Sequence, residues 1–174
     1  QLQGVGIDPG PILIEPETKN TAPAILAACL YLSDQDENAV MLVGATDHVI
    51  PDTQAFHSAV ALGLTQVKLG KIVTFGITPT RPETGYGYME VGDNGHNGAT
   101  EILSFIEKPE KLLAETMLSK GNYLWNAGIF MFGVKEMISA FEQNFPELLK
   151  QARVSIANGK SDLGFFRLDP EAWS

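Results

Sequence analysis

A carboxylate and an imidazole, Asp47 and His48, follow the apolar run of residues 39–43. A lone carboxylate just past the end of a strand could hold Mg²⁺ between phosphate oxygens, because this ion typically takes one or two protein carboxylates and completes its shell with substrate oxygens. The alternative is an aspartate that caps the following turn, and its position favours neither interpretation. For His48 a structural hydrogen bond is favoured over a ligand contact, and His57 and His96 have no metal-ligand spacing with it.

Two glycines flank an aromatic residue in an unusual string that runs from Thr80 to Tyr88. Because neither Gly85 nor Gly87 carries a side chain, the backbone amides around Tyr86 could approach a ligand closely. The alternative is a flexible surface loop that leads into a strand. Arg81 is one of few cations in the chain and could bind a phosphate, although a solvated arginine is the simpler interpretation.

An anion and a cation, Glu107 and Lys108, stand side by side at the end of an apolar run and precede Pro109. Adjacent strand residues point to opposite faces, so these side chains can share a pocket only if the strand breaks there, which the proline makes possible. A lysine could then neutralise a sugar phosphate while a glutamate accepts hydrogens from hydroxyl groups. Without a family for comparison, two surface residues are the simpler interpretation.

A polar amide, Asn126, lies inside an apolar and aromatic run that extends from Leu124 to Val134. A buried asparagine needs hydrogen-bond partners, and a sugar hydroxyl is one candidate. A backbone bulge at Gly128 is the structural alternative.

Asn20 and Thr21 follow a short predicted strand and precede a predicted helix. Exposed N–H groups at such a helix start suit an anion or a base edge. On chemistry alone, an ordinary capped helix is the favoured interpretation.

Strands and helices alternate among the elements that must position these side chains. Predicted strands cover residues 12–14, 39–43 and 72–77, and predicted helices cover residues 21–32 and 52–69. This alternation is typical of a parallel sheet that helices cover. Further along, a hairpin is predicted from residues 86–91 and 101–106 around a Gly/Asn-rich turn at 92–98. A helix over 112–118, a strand over 124–134 and helices over 135–144 and 146–158 follow, and the polar tail beyond Gly159 shows no clear period.

The composition is that of one globular domain over residues 1–174, with 44% hydrophobic and 19% charged residues. A net charge of −9 argues against a nucleic-acid surface but allows a small phosphorylated ligand that a divalent metal helps to hold. No apolar run approaches the roughly 18 residues of a membrane span, and no signal peptide is recognisable. We therefore expect no membrane association and a cytoplasmic location. The single cysteine, Cys29, is expected to be a buried small hydrophobe.

Taken together and in this order, the motifs resemble those of the bacterial mannose-1-phosphate guanylyltransferases, including the bifunctional forms fused to a phosphomannose isomerase. The resemblance runs from about Leu2 to at least Leu149. It is carried by the strings that begin at Glu15 (Glu-Pro-x-x-x-Asn-Thr-Ala-Pro-Ala-Ile), Asp47 (Asp-His-Val-Ile), Arg81 (Arg-Pro-Glu-Thr-Gly-Tyr-Gly-Tyr), Glu107 (Glu-Lys-Pro) and Tyr123 (Tyr-Leu-Trp-Asn-x-Gly-Ile-Phe).

The resemblance implies an α/β fold, with a Rossmann-like three-layer sheet of the nucleotide-sugar transferase type and a small antiparallel sugar-binding hairpin. It also implies a Mg²⁺-dependent reaction in which mannose-1-phosphate attacks the α-phosphorus of GTP and yields GDP-mannose and pyrophosphate. Carried over by motif, Asp47 and Lys108 would be catalytic, Asp47 as a Mg²⁺ ligand and Lys108 on the sugar phosphate. The substrate-binding residues would be Asn20 and Thr21 near the nucleotide, and Gly85, Tyr86, Gly87, Glu107 and Asn126 around the mannose.

The chain also departs from the family pattern. The family's Gly-rich loop, Gly-Gly-x-Gly-x-Arg-Leu-Trp-Pro-Leu-Ser-Arg, is absent, as are the first two strands of its sheet, the region with its second metal-binding aspartate and any isomerase domain. We therefore expect impaired catalysis by this chain alone. The alternative is a non-catalytic sugar-phosphate-binding or assembly module. Unpaired strand edges would favour a homodimer or a higher homo-oligomer.

Overall fold

The computed structural model describes residues 4, 6, 9–92 and 98–173. The predicted turn at residues 92–98 falls mostly outside these ranges, and His96 falls outside them entirely. The chain divides into two compact units. One, here the helical unit, consists of Gln1–Ala39 and Val134–Ser174, and the other, here the sheet unit, is Val40–Gly133. The single domain expected from the composition stays a prediction.

The predicted elements up to residue 158 are all present, with ends that differ by a few residues. In chain order the elements are β1 Ile12–Ile14, α1 Thr21–Ser33, β2 Val40–Val43, α2 Thr53–Val67, β3 Val73–Ile77, β4 Gly87–Val91, β5 Ile102–Glu107, α3 Lys111–Lys120, β6 Tyr123–Gly133, α4 Val134–Asn144, α5 Pro146–Ala157, β7 Lys160–Asp162, β8 Phe165–Arg167 and α6 Pro170–Trp173. The tail, which carried no clear period, thus forms two short strands and a helical turn.

The core of the helical unit lies between α1, α4 and α5. It is built by the buried side chains of Leu26, Leu30, Phe141, Leu149 and Ala152. A second cluster joins Ala27, Leu168 and Trp173, and the indole N–H of Trp173 donates to the Glu17 carbonyl at 3.2 Å. The tail is therefore ordered by apolar contacts that have no helical or strand period of their own.

Cys29 is completely buried on α1, as the sequence predicted. Burial raises the pKa of the Cys29 thiol to about 12, so the thiolate form is strongly disfavoured.

Strand β6 is the central strand of the sheet unit. Met131 pairs with β2 at Leu42 and with β3 at Val73, so β2 and β3 lie on opposite edges of β6. Trp125 likewise lies between Ile77 of β3 and the first residues of β4. Strand β5 completes the sheet by pairing antiparallel with β4, which confirms the predicted hairpin pairing.

The predicted parallel pairing of the first three strands is wrong. Strands β2 and β3 do run in the same direction, but each pairs antiparallel with β6, which lies between them. Strand β1 belongs to the other unit, where it pairs parallel with β8, and β8 pairs antiparallel with β7. The physical reason is that strand–helix alternation sets the direction of consecutive strands, while a later strand remains able to insert between them.

Two helices cover β6 in the sheet unit. Helix α2 packs against it closely at the buried Gly63, where an added Cβ would lie 2.7 Å from the Met131 methyl carbon. Helix α3 contributes Ala114 and Met117 to a cluster with aromatic side chains of β4 and β6. The two ends of β6 are thereby mostly buried, whereas Gly128 in its middle is exposed.

Side chains of the edge strand β2 are partly exposed, with 45% of Val40 and 46% of Leu42 accessible. In the described part of the chain β2 pairs only with β6. An unpaired apolar edge is compatible with the expected homo-oligomer, which stays a prediction. No helix among the described residues is long and apolar enough to cross a membrane.

Gly76 of β3 tests the close packing of β3 on β6. An added Cβ would lie 2.6 Å from Cδ1 and 2.9 Å from Cβ of Leu124, and a side-chain rotation cannot move the second atom away. We expect Gly76→Ala to lower the free energy of unfolding by about 1–3 kcal/mol, measured by urea unfolding with circular dichroism. Gly44→Ala is the control, because its Cβ would make an ordinary 3.8 Å contact with Ile129. Equal stability of the two variants would contradict this packing.

Candidate functional site

The candidate site is built around a break in the strand pairing of β6. Strand β2 pairs with β6 as far as Val43 opposite Phe130, and β4 begins to pair at Tyr88 opposite Trp125. Residues 126–129 of β6 lie between these two points, and on this edge the described strands leave them unpaired. We call this segment the β6 gap.

A bulge lies at the same place as the β6 gap. On the other edge, Thr74 and Gly76 of β3 pair with Phe130 and Asn126, so two steps along β3 span four along β6. Gly128 adopts a positive φ of 68°, a conformation that glycine allows at little cost. The bulge suggested at Gly128 is therefore present. It lies next to Asn126, and its presence does not exclude a ligand contact by that residue.

The side chain of Asn126 is held in one orientation within the bulge. Its Oδ1 atom lies 3.0 Å from the Thr74 hydroxyl and accepts a hydrogen bond from the Gly128 N–H at 3.1 Å. Because a backbone N–H can only donate, this contact identifies the oxygen end of the amide. The NH₂ end of Asn126 is then left to donate to another group. Sequence reasoning missed Thr74, whose role depends on a contact with a residue 52 positions away.

Asp47 and His48 lie in a turn that follows β2. The His48 N–H donates to the Ala45 carbonyl at 3.5 Å, and the imidazole Cε1 lies 3.9 Å from the position of a Cβ on Gly128. This contact places the turn beside the β6 gap. The Asp47 side chain is exposed, and Asp52, rather than Asp47, caps α2 by accepting the Ala55 N–H at 2.9 Å. Helix capping therefore does not explain Asp47.

Glu107 and Lys108 lie where β5 ends. Lys108 has a φ of +47°, which takes the chain out of the extended conformation, and its N–H donates to the Tyr86 carbonyl at 3.1 Å. The break brings the Lys108 ammonium within 3.8 Å of a carboxylate oxygen of Glu107. The two side chains thus come together as the sequence required for a shared pocket.

The loop that leads into β4 is more occupied by its own contacts than the sequence suggested. The Gly85 N–H donates to Oε1 of Glu83 at 3.1 Å, so a ligand that used this amide would compete with Glu83. At Gly87 an added Cβ would lie 2.6 Å from the Phe105 ring and 2.7 Å from Oε2 of Glu107. Packing across the hairpin therefore explains this glycine. The exposed ring of Tyr86 meets the ring of Trp125 edge-on, with 5.3 Å between the centroids.

The Arg81 side chain is largely exposed, as the simpler interpretation held, but it also has two partners. Its guanidinium forms an ion pair with Glu83 at 3.0 Å and lies over the Trp125 ring, 5.5 Å from the centroid. Sequence reasoning did not single out Glu83 or Trp125. The aromatic partner and the arginine could have been suspected from their types, but only the fold brings them together.

Asn20 and Thr21 belong to the helical unit, at the start of α1. Asn20 is the N-cap residue, yet its side chain makes no capping hydrogen bond. The capping interpretation therefore does not account for its side chain, and a nucleotide contact through Asn20 and Thr21 stays a prediction. No group of three or more His, Cys, Asp or Glu side chains within the described ranges could hold a metal ion.

Comparison with known proteins relates the chain to sugar-nucleotide enzymes. The sequence profile described as Nucleotidyl transferase matches residues 5–174, so the chain belongs to that family. The Xanthan biosynthesis protein XanB of Xanthomonas campestris pv. campestris (strain B100) is 40% identical over 174 residues, which are 100% of this chain and 37% of that protein. The mannose-1-phosphate guanylyltransferase of Escherichia coli (strain K12) is 38% identical over 168 residues, which are 93% of this chain and 35% of that protein. The chain thus spans little more than a third of the length of these relatives.

Solved structures share the fold. A structure described as mannose-6-phosphate isomerase from Helicobacter pylori superposes with a TM-score of 0.82 and 27% identity, over 92% of this chain and 62% of that one. One described as mannose-1-phosphate geranyltransferase from Thermus thermophilus gives a TM-score of 0.78 and 30% identity, over 99% of this chain and 48% of that one. The expected α/β fold of the nucleotide-sugar transferase type is therefore confirmed.

The left-handed backbone of Lys108 can be tested separately from its charge. Both Lys108→Val and Lys108→Asn remove the ammonium, but a β-branched residue tolerates a positive φ poorly, whereas asparagine tolerates it well. We expect the valine variant to lose about 1 kcal/mol of unfolding free energy and the asparagine variant to lose none. Urea unfolding measures both, and equal stabilities would argue against the break at this residue.

Proposed function

Because the chain belongs to the nucleotidyl transferase family, we propose that it is part of a sugar-nucleotide pyrophosphorylase that acts on mannose-1-phosphate and GTP. A phosphate oxygen of mannose-1-phosphate attacks the α-phosphorus of GTP, and the bond from that phosphorus to the bridging oxygen of pyrophosphate breaks. The products are GDP-mannose and pyrophosphate. Such a reaction depends on positioning and charge neutralisation and needs no covalent nucleophile.

The observation that carries the proposal is the convergence of polar groups around the β6 gap. The Asn126 amide lies in the bulge itself, and the turn with Asp47 and His48 lies beside Gly128. Sugar phosphates need hydrogen-bond partners for several hydroxyl groups and a neutralised phosphate. The Asn126 amide can serve the first need, and the Lys108 ammonium, with a divalent ion held by Asp47, the second. The names of the relatives support mannose-1-phosphate as the substrate.

Each residue is assigned an interaction that its existing contacts still allow. Asn126 donates its NH₂ group to a mannose hydroxyl, because its oxygen is engaged by Thr74 and Gly128. Glu107 accepts hydrogens from hydroxyl groups, and Lys108 binds the phosphate. These assignments agree with the exposure of both side chains.

The remaining predicted contacts are those of the loop before β4 with the sugar and those of α1 with the nucleotide. Tyr86 and the backbone around Gly85 and Gly87 line the sugar side. Asn20 and Thr21 lie near the nucleotide, and the choice of guanine rests on the names of the relatives.

The fit of a divalent cation rests on Asp47. Nucleotidyl transferases generally use such ions, and a single exposed carboxylate is a fitting ligand for Mg²⁺ only when phosphate oxygens complete its shell. When bound, the ion supplies positive charge to the phosphates. Asp47 would be its protein ligand, in the turn whose His48 imidazole lies close to Gly128.

The catalytic role of Asp47 predicts a loss of turnover on its removal. Asp47→Ala should lower pyrophosphate release from GTP, mannose-1-phosphate and Mg²⁺ by about 10²-fold or more, measured by a coupled assay. Asp34→Ala, at the end of α1, is the control and should keep the wild-type rate. No turnover by the folded wild-type chain would instead favour a sugar-phosphate-binding or assembly module. Full activity of Asp47→Ala would contradict the role of Asp47.

The orientation of Asn126 predicts that its donor group matters for sugar binding. Asn126→Asp keeps an oxygen for Thr74 and Gly128 but removes the NH₂ donor and adds a negative charge. We expect the affinity for mannose-1-phosphate to fall by about tenfold or more, measured by isothermal titration calorimetry. Asn38→Asp, in an exposed turn, adds the same charge as a control and should leave the affinity unchanged. An equal loss in both variants would attribute the effect to net charge.

A further inference from the structure

Glu83 connects three residues, two in the loop between β3 and β4 and one in β4 itself. Its Oε1 atom accepts the Gly85 N–H at 3.1 Å, and its Oε2 atom accepts both the Nε and Nη2 groups of Arg81, at 3.2 and 3.0 Å. Its own N–H donates to the Tyr88 hydroxyl at 2.9 Å. One residue thus fixes the loop through its side chain and its backbone together.

The partners of Glu83 are themselves fastened to β6. Tyr88 is completely buried, and Trp125 is 6% exposed. The Arg81 guanidinium and the ring of Tyr86 both lie against Trp125, the residue that precedes Asn126 along β6. The loop is therefore attached directly next to the β6 gap.

The contacts of Glu83 suit positioning better than stability. Arg81 and Glu83 remain partly exposed, and an ion pair between exposed side chains adds little to stability. A carboxylate, however, can accept the arginine on one oxygen and a backbone amide on the other, which defines the loop geometry closely. The Gly85 N–H and then the Arg81 guanidinium lower the pKa of the Glu83 carboxyl, so it stays ionised at neutral pH.

We propose that Glu83 is a positioning residue that holds the loop so that the exposed Tyr86 faces the bound sugar phosphate, without touching the ligand itself. This inference rests on the proposed function. It assigns the Gly85 amide to the loop rather than to the ligand. Arg81 likewise acts through Trp125 and Glu83 instead of binding a phosphate.

Two substitutions separate the acceptor role of Glu83 from its charge. Glu83→Ala removes both contacts, whereas Glu83→Gln keeps an oxygen that accepts the Gly85 N–H. Glu110→Ala is the matched control, because Glu110 precedes α3 and its side chain makes no capping hydrogen bond. Two readouts are taken on each chain: hydrogen exchange of the Gly85 amide by NMR, and the affinity for mannose-1-phosphate by calorimetry.

In Glu83→Ala we expect about tenfold faster exchange of the Gly85 amide and about tenfold weaker binding of mannose-1-phosphate. Glu83→Gln should restore the protection of the amide and most of the affinity, and Glu110→Ala should match the wild type in both.

Because the pKa of Glu83 is lowered in the folded chain, its contacts are intact above the ordinary glutamate pKa and are lost as the pH falls through the lowered value. The NMR chemical shift of the Gly85 amide should follow this titration in the wild type. In Glu83→Gln the same shift should show no such titration.

Three results would overturn the inference while leaving the proposed function standing. Weaker binding by Glu83→Ala with unchanged Gly85 exchange would show that Glu83 touches the ligand. Tighter binding would show that Glu83 competes with the ligand for the Gly85 amide. Faster exchange with unchanged affinity would show that the loop has no part in binding. If the wild-type chain does not bind mannose-1-phosphate, the proposed function is overturned as well. Calorimetry on the wild type distinguishes that failure from the three above.

Discussion

The structure of the candidate site depends on the irregular pairing of β6. A strand of eleven residues that pairs on both edges would ordinarily leave no opening along its length. The bulge at residues 126–129 shifts the register against β3, and on the other edge β2 and β4 pair with different ends of the strand. Backbone groups within the interruption need partners other than a neighbouring strand, and the Asn126 side chain supplies one by accepting the Gly128 N–H.

The orientation of the Asn126 side chain at the β6 gap follows from hydrogen bonds within the bulge. The bulge leaves the Gly128 N–H without a strand partner, and Asn126 accepts it. The Thr74 hydroxyl of β3 lies 3.0 Å from this oxygen and 3.0 Å from the Ile129 carbonyl, and it can donate its hydrogen to either. The amide is thereby oriented before any ligand binds, which lowers the entropic cost of binding a hydroxyl group. A regular strand would offer no reason for an asparagine at this position.

Much of the local structure could be predicted from the sequence, because it depends on residues close together in the chain. Periodicity and Pro or Gly punctuation located the helices, and Pro109 correctly indicated a break at Lys108. Strand pairing could not be predicted, since nothing local to β2 or β3 indicates that β6 lies between them. Thr74 escaped notice for the same reason, because its partner Asn126 is 52 positions away. The partners of Glu83 are close in the chain, but the conformation that lets one carboxylate accept both Arg81 and the Gly85 N–H is not visible in the residue types.

The charges near the β6 gap explain why a metal ion belongs to the proposed chemistry. The sheet unit brings two cations to this region, and each is already paired: Arg81 with Glu83, and Lys108 with Glu107. With Asp47 added, carboxylates outnumber cations, and the chain as a whole carries a net charge of −9. A phosphate dianion would be repelled by such a surface unless a divalent ion bridged it to a carboxylate. The exposed Asp47 is the side chain in this region without a cationic partner among the described residues. Under the proposed function, the acidity that argues against a nucleic-acid surface would therefore favour a divalent ion at the sugar phosphate.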